Sequence, residues 1–119
     1  MADYMDIHPK DGRPLTSSPA AQSLADLRQA HAEWSQETFG DVGPVGPAKH
    51  LSKEALEVAS NPTDLGEYAD CQMLLWDMQR RAKISDEDLA DAITVKLAIN
   101  KSRTWPAPLD GEAREHINE

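Results

Sequence analysis

The 119-residue sequence has one cysteine, few aromatic side chains and no long apolar run. The single cysteine, Cys71, excludes an internal disulfide and a multi-cysteine zinc site, and we interpret it as a small buried residue. No run reaches the roughly 20 apolar residues that a membrane-spanning helix needs, and the N-terminus lacks the basic and apolar regions of a secretion signal. We therefore expect a soluble cytoplasmic protein without a membrane partner.

Basic residues are also scarce, with 12 Lys and Arg against 21 Asp and Glu and a formal net charge of −9. This balance opposes binding to nucleic acid through a general basic surface, so we expect no nucleic-acid partner. It does not oppose binding of a nucleotide, because metal ions can reverse the local charge of an acidic site.

Strand signals and Gly-rich phosphate loops are absent, whereas helical signals recur along the chain. Four helices are predicted: from Ala20 to Thr38 after a cap at Ser18-Pro19, from near Pro47 to Ser60, from near Asp64 to about Lys83, and from Ser85 to about Thr104. They predict an all-α four-helix bundle. We expect residues 1–18 to be a flexible extension, residues 19–105 the helical domain, and residues 106–119 a tail.

Two pairs of carboxylates have helical spacing: Glu54 with Glu57, and Glu67 with Asp70. The members of each pair lie about 60° apart around a helix. The break between residues 61 and 64 predicts an antiparallel hairpin with both pairs facing inward. Such carboxylates repel one another unless they share cations, and all-oxygen ligands favour magnesium or manganese. The alternative is two ordinary solvated helix faces, on which the same spacings are common.

Other polar residues fall near these faces. His50 lies within about 60° of Glu54 and Glu57, so it either borders the site or is an ordinary polar neighbour. Asp77 either extends the acidic face or meets solvent. On the fourth helix, the side chains of Lys96, Asn100 and Arg103 fall within about 80°. That group fits a polyphosphate, or it is a solvated basic edge at a helix C-terminus.

The order of these residues resembles that of the all-α nucleoside triphosphate pyrophosphohydrolases of the MazG type. Longer motifs resemble their phage dATP/dGTP diphosphohydrolase branch, which includes MazZ-like enzymes of phages that replace adenine by 2-aminoadenine. The motifs are Trp34-x-x-x-x-Phe39-Gly40, His50-Leu51-x-Lys53-Glu54, Asp64-x-x-Glu67-Tyr68-Ala69-Asp70-Cys71 and Lys96-Leu97-Ala98-Ile99-Asn100-Lys101-x-Arg103-x-Trp105. The resemblance covers about residues 24–116.

The resemblance implies hydrolysis of a purine (deoxy)nucleoside triphosphate, dGTP foremost, to dGMP and pyrophosphate, with dGMP supplying 2-aminoadenine synthesis in a phage. It implies two or more Mg²⁺ or Mn²⁺ ions, a homodimer or homotetramer that completes the bundle, and the host cytoplasm if the chain is phage-encoded. The implied metal ligands are Glu54, Glu57, Glu67 and Asp70, with Glu54 and Glu57 as the catalytic pair. The predicted phosphate contacts are Lys53, Lys96, Asn100 and Arg103, of which the resemblance implies the last three. A purine needs a flat apolar platform with polar groups at its edge, so Trp34 and Phe39 are the predicted base contacts in preference to Trp76, with His50 as an edge or sugar contact. Lys53 departs from the family, since many members have an acid there.

Three other functions remain compatible with the sequence. One is a house-cleaning enzyme for dATP or non-standard nucleotides. Another is a non-catalytic acidic interaction protein that mimics DNA, which would need no metal. The third is a structural or metal-buffering bundle, whose metal binding nucleotides would not tighten.

Overall fold

The computed structural model describes residues 22–107, 111 and 115. This part of the chain forms four helices and no strand, which confirms the predicted all-α class: α1 (Leu24–Phe39), α2 (Val45–Ser60), α3 (Leu65–Arg81) and α4 (Asp86–Ser102). Among the described residues, no helix is both long enough and apolar enough to cross a bilayer.

The first helix begins later than predicted. Ser23 is its N-cap and accepts a 3.1 Å hydrogen bond from the backbone N–H of Asp26. The predicted cap at Ser18-Pro19 lies outside the described residues, but a helix running unbroken from Ala20 is wrong because Gln22 and Ser23 are not helical. A serine followed by an acid three residues later is itself a helix-start signal.

The caps of α3 and α4 are the predicted ones. Asp64 accepts from the N–H of Gly66 at 2.8 Å, and Ser85 accepts from the N–H of Asp88 at 3.1 Å. The end of α4 was predicted about two residues too late. Arg103 has an extended backbone (φ −96°, ψ 157°), and the indole N–H of Trp105 donates to the carbonyl of Asn100 at 2.9 Å. The indole thereby satisfies one of the terminal carbonyl groups of the helix.

The chain divides between Lys83 and Ile84 into two compact units. In the first unit, α2 and α3 form the predicted helical hairpin, and α1 packs on α3. The second unit contains α4.

Apolar side chains of the described residues are incompletely covered, and none is fully buried. On α1, Leu24 is 72% exposed and Trp34 is 55% exposed. On α4, Ile93 is 56% exposed, and Ala69 of α3 is also exposed. The two buried residues in the described part are Ser35 and Asp77, so polar groups occupy the centre of the α1–α3 contact.

Candidate metal centre and adjoining cavity

Three carboxylates converge where α2 and α3 face each other. One oxygen from each of Glu54, Glu67 and Asp70 lies within 4.8 Å of the other two. The hairpin brings them together because Glu54 lies on α2 and the other two residues one turn apart on α3. Oxygen atoms at this separation suit a hard divalent cation, whose ligands lie about 2.0–2.6 Å from the ion.

The fourth predicted carboxylate, Glu57, is exposed and lies outside the converged group. It still acts on the cluster. Partial burial raises the pKa of Glu67, and the negative charges of Glu57, Asp64, Glu54 and Asp70 raise it further. The nearness of Glu57 to Glu67 therefore shows in the electrostatics, although Glu57 does not share the converged geometry.

The pKa of Asp70 is raised for similar reasons. Partial burial raises the pKa of Asp70, as does the charge of Glu54, while His50 opposes the shift. Carboxylates with raised pKa values are poorly neutralised by their protein neighbours, and a bound cation relieves that repulsion. Cys71, beside Asp70, is half-buried, and burial followed by the nearby carboxylates raises the pKa of its thiol.

His50 borders the cluster as predicted. Its Nε2 lies 3.1 Å from Oε1 of Glu54, one helical turn further along α2. This contact brings the imidazole of His50 against one oxygen of Glu54. Lys53, adjacent to Glu54, is exposed on the same helix.

Next to the cluster, α2 and α3 border a cavity of about 270 Å³. Its lining consists of Phe39, Val42, Gly46, Pro47, His50, Leu74, Asp77 and Arg81. Of the three predicted base contacts, Phe39 and His50 line the cavity, whereas Trp34 is not among the lining residues. The Trp34 ring instead packs edge-on against Phe39, with centroids 5.6 Å apart.

A buried polar network forms one wall of the cavity. The Ser35 hydroxyl donates to Oδ2 of Asp77 at 2.7 Å, and the Arg81 Nη2 donates to the same hydroxyl oxygen at 2.9 Å. Nη1 of Arg81 donates to the carbonyls of Gly40 and Val42 at 2.7 and 3.0 Å. Arg81 thereby ties α3 to the loop that leads into α2.

Asp77 is therefore neither part of the acidic face nor solvated, and both sequence interpretations of it were wrong. Only 6% of the residue is exposed, and Nη2 of Arg80 donates to its Oδ1 at 3.3 Å. A sequence signal existed, since Arg80 and Arg81 follow Asp77 at the i+3 and i+4 positions, the spacing of helical ion pairs.

His31 completes this region, with a side chain that is 10% exposed. Its ring lies between those of Trp34 and Trp76, at centroid distances of 5.9 and 6.0 Å. Burial lowers the pKa of His31. The nearby Asp77 carboxylate raises this pKa, whereas the charges of Arg80 and Arg81 lower it further. Trp76 is thus a packing residue of the α1–α3 contact in this chain.

The remaining predicted phosphate contacts belong to the second unit. Lys96 and Asn100 lie one turn apart on α4, whereas Arg103 is the residue that follows the helix. Lys96 and Asn100 keep the predicted helical spacing, and Arg103 is the C-cap residue at which the helix ends.

A family model described as dATP/dGTP pyrophosphohydrolase matches residues 27–119. The chain is 59% identical over 106 residues to the Eaa protein of Salmonella phage P22, an alignment that covers 89% of this chain and 33% of that protein. It is 32% identical over 110 residues to a dATP/dGTP diphosphohydrolase of Salmonella phage PMBT28, covering 92% of this chain and 37% of the relative. The chain thus spans about a third of the length of these two relatives.

A third relative is similar in length to this chain. It is a dATP/dGTP diphosphohydrolase of Cyanophage S-2L, 33% identical over 97 residues, with 80% of this chain and 89% of the relative covered. A solved structure of the Cyanophage S-2L MazG-like pyrophosphohydrolase also matches, at a TM-score of 0.61 and 32% identity, covering 82% of this chain and 99% of that chain. That structure is bound to dGDP and three catalytic Mn²⁺ ions per active site. The likeness confirms that the four helices have the MazG-like fold.

Proposed function

The chain belongs to the dATP/dGTP pyrophosphohydrolase family, and we propose that it hydrolyses a purine deoxynucleoside triphosphate to the monophosphate and pyrophosphate with divalent metal ions. The observation that carries this proposal is the convergence of Glu54, Glu67 and Asp70 within 4.8 Å. Three part-buried carboxylates in mutual repulsion form a donor set for Mg²⁺ or Mn²⁺. The Mn²⁺-containing relative from Cyanophage S-2L supports the same proposal.

In this proposal, Glu54, Glu67 and Asp70 hold the metal, and two or more ions bind. Bound divalent ions supply charge neutralisation for the triphosphate and lower the pKa of coordinated water. His50 orients Glu54 through the 3.1 Å contact between their side chains. Glu57 lies at the edge of the group, where its carboxylate either joins the metal ligands or orients the attacking water.

We assign the phosphates to Lys53, Lys96, Asn100 and Arg103, because cationic and amide donors complement phosphate oxygens. The support for this assignment is the family resemblance of the motif from residue 96 to residue 105. Phe39 and His50 are the proposed base or sugar contacts. Trp34 acts with them through its edge-on contact with Phe39.

The preferred substrate in this proposal is dGTP, and its dGMP product supplies 2-aminoadenine nucleotide synthesis in a phage. The dGDP bound to the Cyanophage S-2L relative supports a guanine nucleotide. A preference for dATP or a non-standard nucleotide is the rival within the family, whose description names both dATP and dGTP.

We also propose that the chain acts as a homodimer or homotetramer. The supporting observation is that no apolar side chain in the described part of the chain is fully buried. A helical protein that leaves so many large apolar side chains exposed gains stability when another subunit covers them.

The test of the proposed function is product analysis. The purified protein is incubated with each common nucleoside triphosphate and Mg²⁺ or Mn²⁺, and the products are separated. Release of a nucleoside monophosphate with pyrophosphate supports the reaction, and the order of substrate rates gives the base preference. Release of diphosphate and phosphate, or no reaction with any nucleotide and either metal, overturns it.

A further inference from the structure

We propose that the 270 Å³ cavity binds the purine base, and that Asp77 at its wall selects bases that carry an exocyclic amino group. This inference rests on the proposed function, since it assumes that the phosphates bind at the acidic cluster. It adds Gly46 and Asp77 to the substrate site, with Arg81 as the residue that positions Asp77.

The cavity lies at the distance from the cluster that a nucleotide requires. His50 and Leu74, which line the cavity, lie one turn from Glu54 and Asp70 on their respective helices. Gly46 and Asp77 lie about one turn further along. At 5.4 Å per turn, the lining extends about 5–11 Å from the carboxylates. A sugar spans a gap of this order between the phosphates and the base.

The cavity also has the form of a base site. Phe39, Val42, Pro47 and Leu74 supply an apolar lining, and Phe39 supplies a flat ring on which a base can pack. Gly46 leaves the space open. A Cβ placed on Gly46 would meet no atom within 4 Å, so a larger side chain there would project into unoccupied volume.

Asp77 at the cavity wall retains unused hydrogen-bonding capacity. Each oxygen of Asp77 accepts one bond, from Ser35 or from Arg80, whereas a carboxylate has about four acceptor positions. Arg81 positions this carboxylate, because its side chain is 2% exposed and its Nε lies 3.8 Å from Oδ2 of Asp77.

The free acceptor positions of Asp77 complement the exocyclic amine of an aminopurine, because an amine donates hydrogen bonds and a carboxylate accepts them. A purine without the amine leaves the Asp77 carboxylate without that bond and binds less well.

Gly46 provides a test that leaves the buried network intact. Gly46→Leu adds a four-carbon side chain at the lining of the cavity, while Gly46→Ala adds only a methyl group and serves as the matched control. Neither substitution strains the backbone, because Gly46 lies in the first turn of α2 and lacks a positive φ. Gly43→Leu, at a loop position that does not line the cavity and also has free space, controls for added bulk.

Binding of dGMP to the full chain is measured by calorimetry in the presence of Mn²⁺, so that the result does not depend on turnover. We expect Gly46→Leu to weaken binding at least about tenfold, while Gly46→Ala and Gly43→Leu remain within about twofold of wild type. Equal binding by Gly46→Leu and wild type, equal losses in Gly46→Leu and Gly43→Leu, or no dGMP binding by wild type would each overturn the base site.

Selection by the amine is measured as a ratio of affinities in two pairs of ligands. The first pair is dGMP and dIMP, which lacks the amine of guanine, and the second is dAMP and the purine deoxynucleoside monophosphate without the amine of adenine. In the wild type, the better-bound aminopurine should lose about 10- to 150-fold in affinity when its amine is removed, the range expected for a hydrogen bond to a charged group. Asp77→Asn, with its fold checked by circular dichroism, should reduce the ratio between the affinities for the ligands with and without the amine. Ratios near one in the wild type would remove Asp77 from base selection.

Kinetics separate this inference from the proposed function. If the wild type hydrolyses triphosphates and Gly46→Leu leaves KM unchanged, the base site is wrong while the reaction stands. If Gly46→Leu weakens dGMP binding but no triphosphate is hydrolysed, the cavity binds a base and the proposed reaction is wrong.

Discussion

The Ser35 hydroxyl donates a 2.7 Å hydrogen bond to the Asp77 carboxylate and joins α1 to α3 through the two buried residues of the described chain. Ser35→Ala removes a donor from a buried carboxylate, so we expect the free energy of unfolding to fall by about 1–3 kcal/mol. Chemical denaturation at fixed protein concentration measures this loss. Ser52→Ala is the control, because Ser52 is exposed and bonds only to a local carbonyl, that of Lys49. Equal stabilities of the two variants would contradict a stabilising role for the buried network.

Glu57→Gln tests whether the exposed fourth carboxylate takes part in the chemistry. The negative charge of Glu57 raises the pKa of Glu67, so Glu57 lies close enough to the cluster to act on it. We expect metal-dependent turnover to fall by more than the roughly 10- to 100-fold typical of outer-shell changes, while the helical content stays the same. Glu37→Gln is the matched control, since Glu37 is an exposed acid on α1. Turnover by Glu57→Gln at the wild-type rate would show that Glu54, Glu67 and Asp70 suffice.

His31 gives the protein a pH-dependent stability. Burial lowers the pKa of His31 below its ordinary value of 6.5, so the unfolded state binds more protons than the folded state between those two pKa values. The stability that depends on the neutral ring is fully present above about pH 6.5 and is lost as the pH falls through the folded pKa. Unfolding free energies measured between about pH 7.5 and 5.5 should show a steeper loss for the wild type than for His31→Gln. The same pH dependence of stability in the wild type and in His31→Gln would exclude His31 as the source of that dependence.

Self-association should depend on the exposed apolar side chains. Leu24, Leu27 and Trp34 lie on one face of α1 and are 72%, 42% and 55% exposed. We expect light scattering to give the mass of a dimer or tetramer, and Leu27→Glu to shift it toward the monomer if this face is an interface. Ala25→Glu, at an exposed position on the opposite side of α1, controls for the added negative charge. An active wild-type monomer would contradict the homo-oligomer proposal.

Much of the fold follows from local sequence signals. Asp64 and Ser85 cap α3 and α4 as predicted, since an oxygen acceptor just before an acidic helical turn is a local signal. The hairpin that unites Glu54 with Glu67 and Asp70 follows from helical spacing and the break between residues 61 and 64. The caps and helix bounds depend on residues within about one helical turn, so they can be predicted from the sequence alone.

Features set by tertiary contact were harder to predict. The sequence pattern left Asp77 either on the acidic face or in solvent, because its burial depends on Ser35, which lies 42 residues earlier. The cavity depends on Phe39 of α1, Pro47 of α2 and Leu74 of α3 meeting, and spacing along one helix does not reveal that meeting. The bond from the Trp105 indole to the carbonyl of Asn100 likewise comes from outside the helix.

The most direct test of the metal centre is a Mn²⁺ titration followed by electron paramagnetic resonance, which reports free and bound ion separately. We expect wild type to bind more than one Mn²⁺ per chain. We expect Asp70→Asn to lose Mn²⁺ affinity by more than the roughly 10- to 100-fold of an outer-shell change, because it removes a converging ligand, while Glu37→Gln binds as wild type does. Wild-type Mn²⁺ affinity in Asp70→Asn would contradict the assignment of the Glu54, Glu67 and Asp70 cluster as the metal centre.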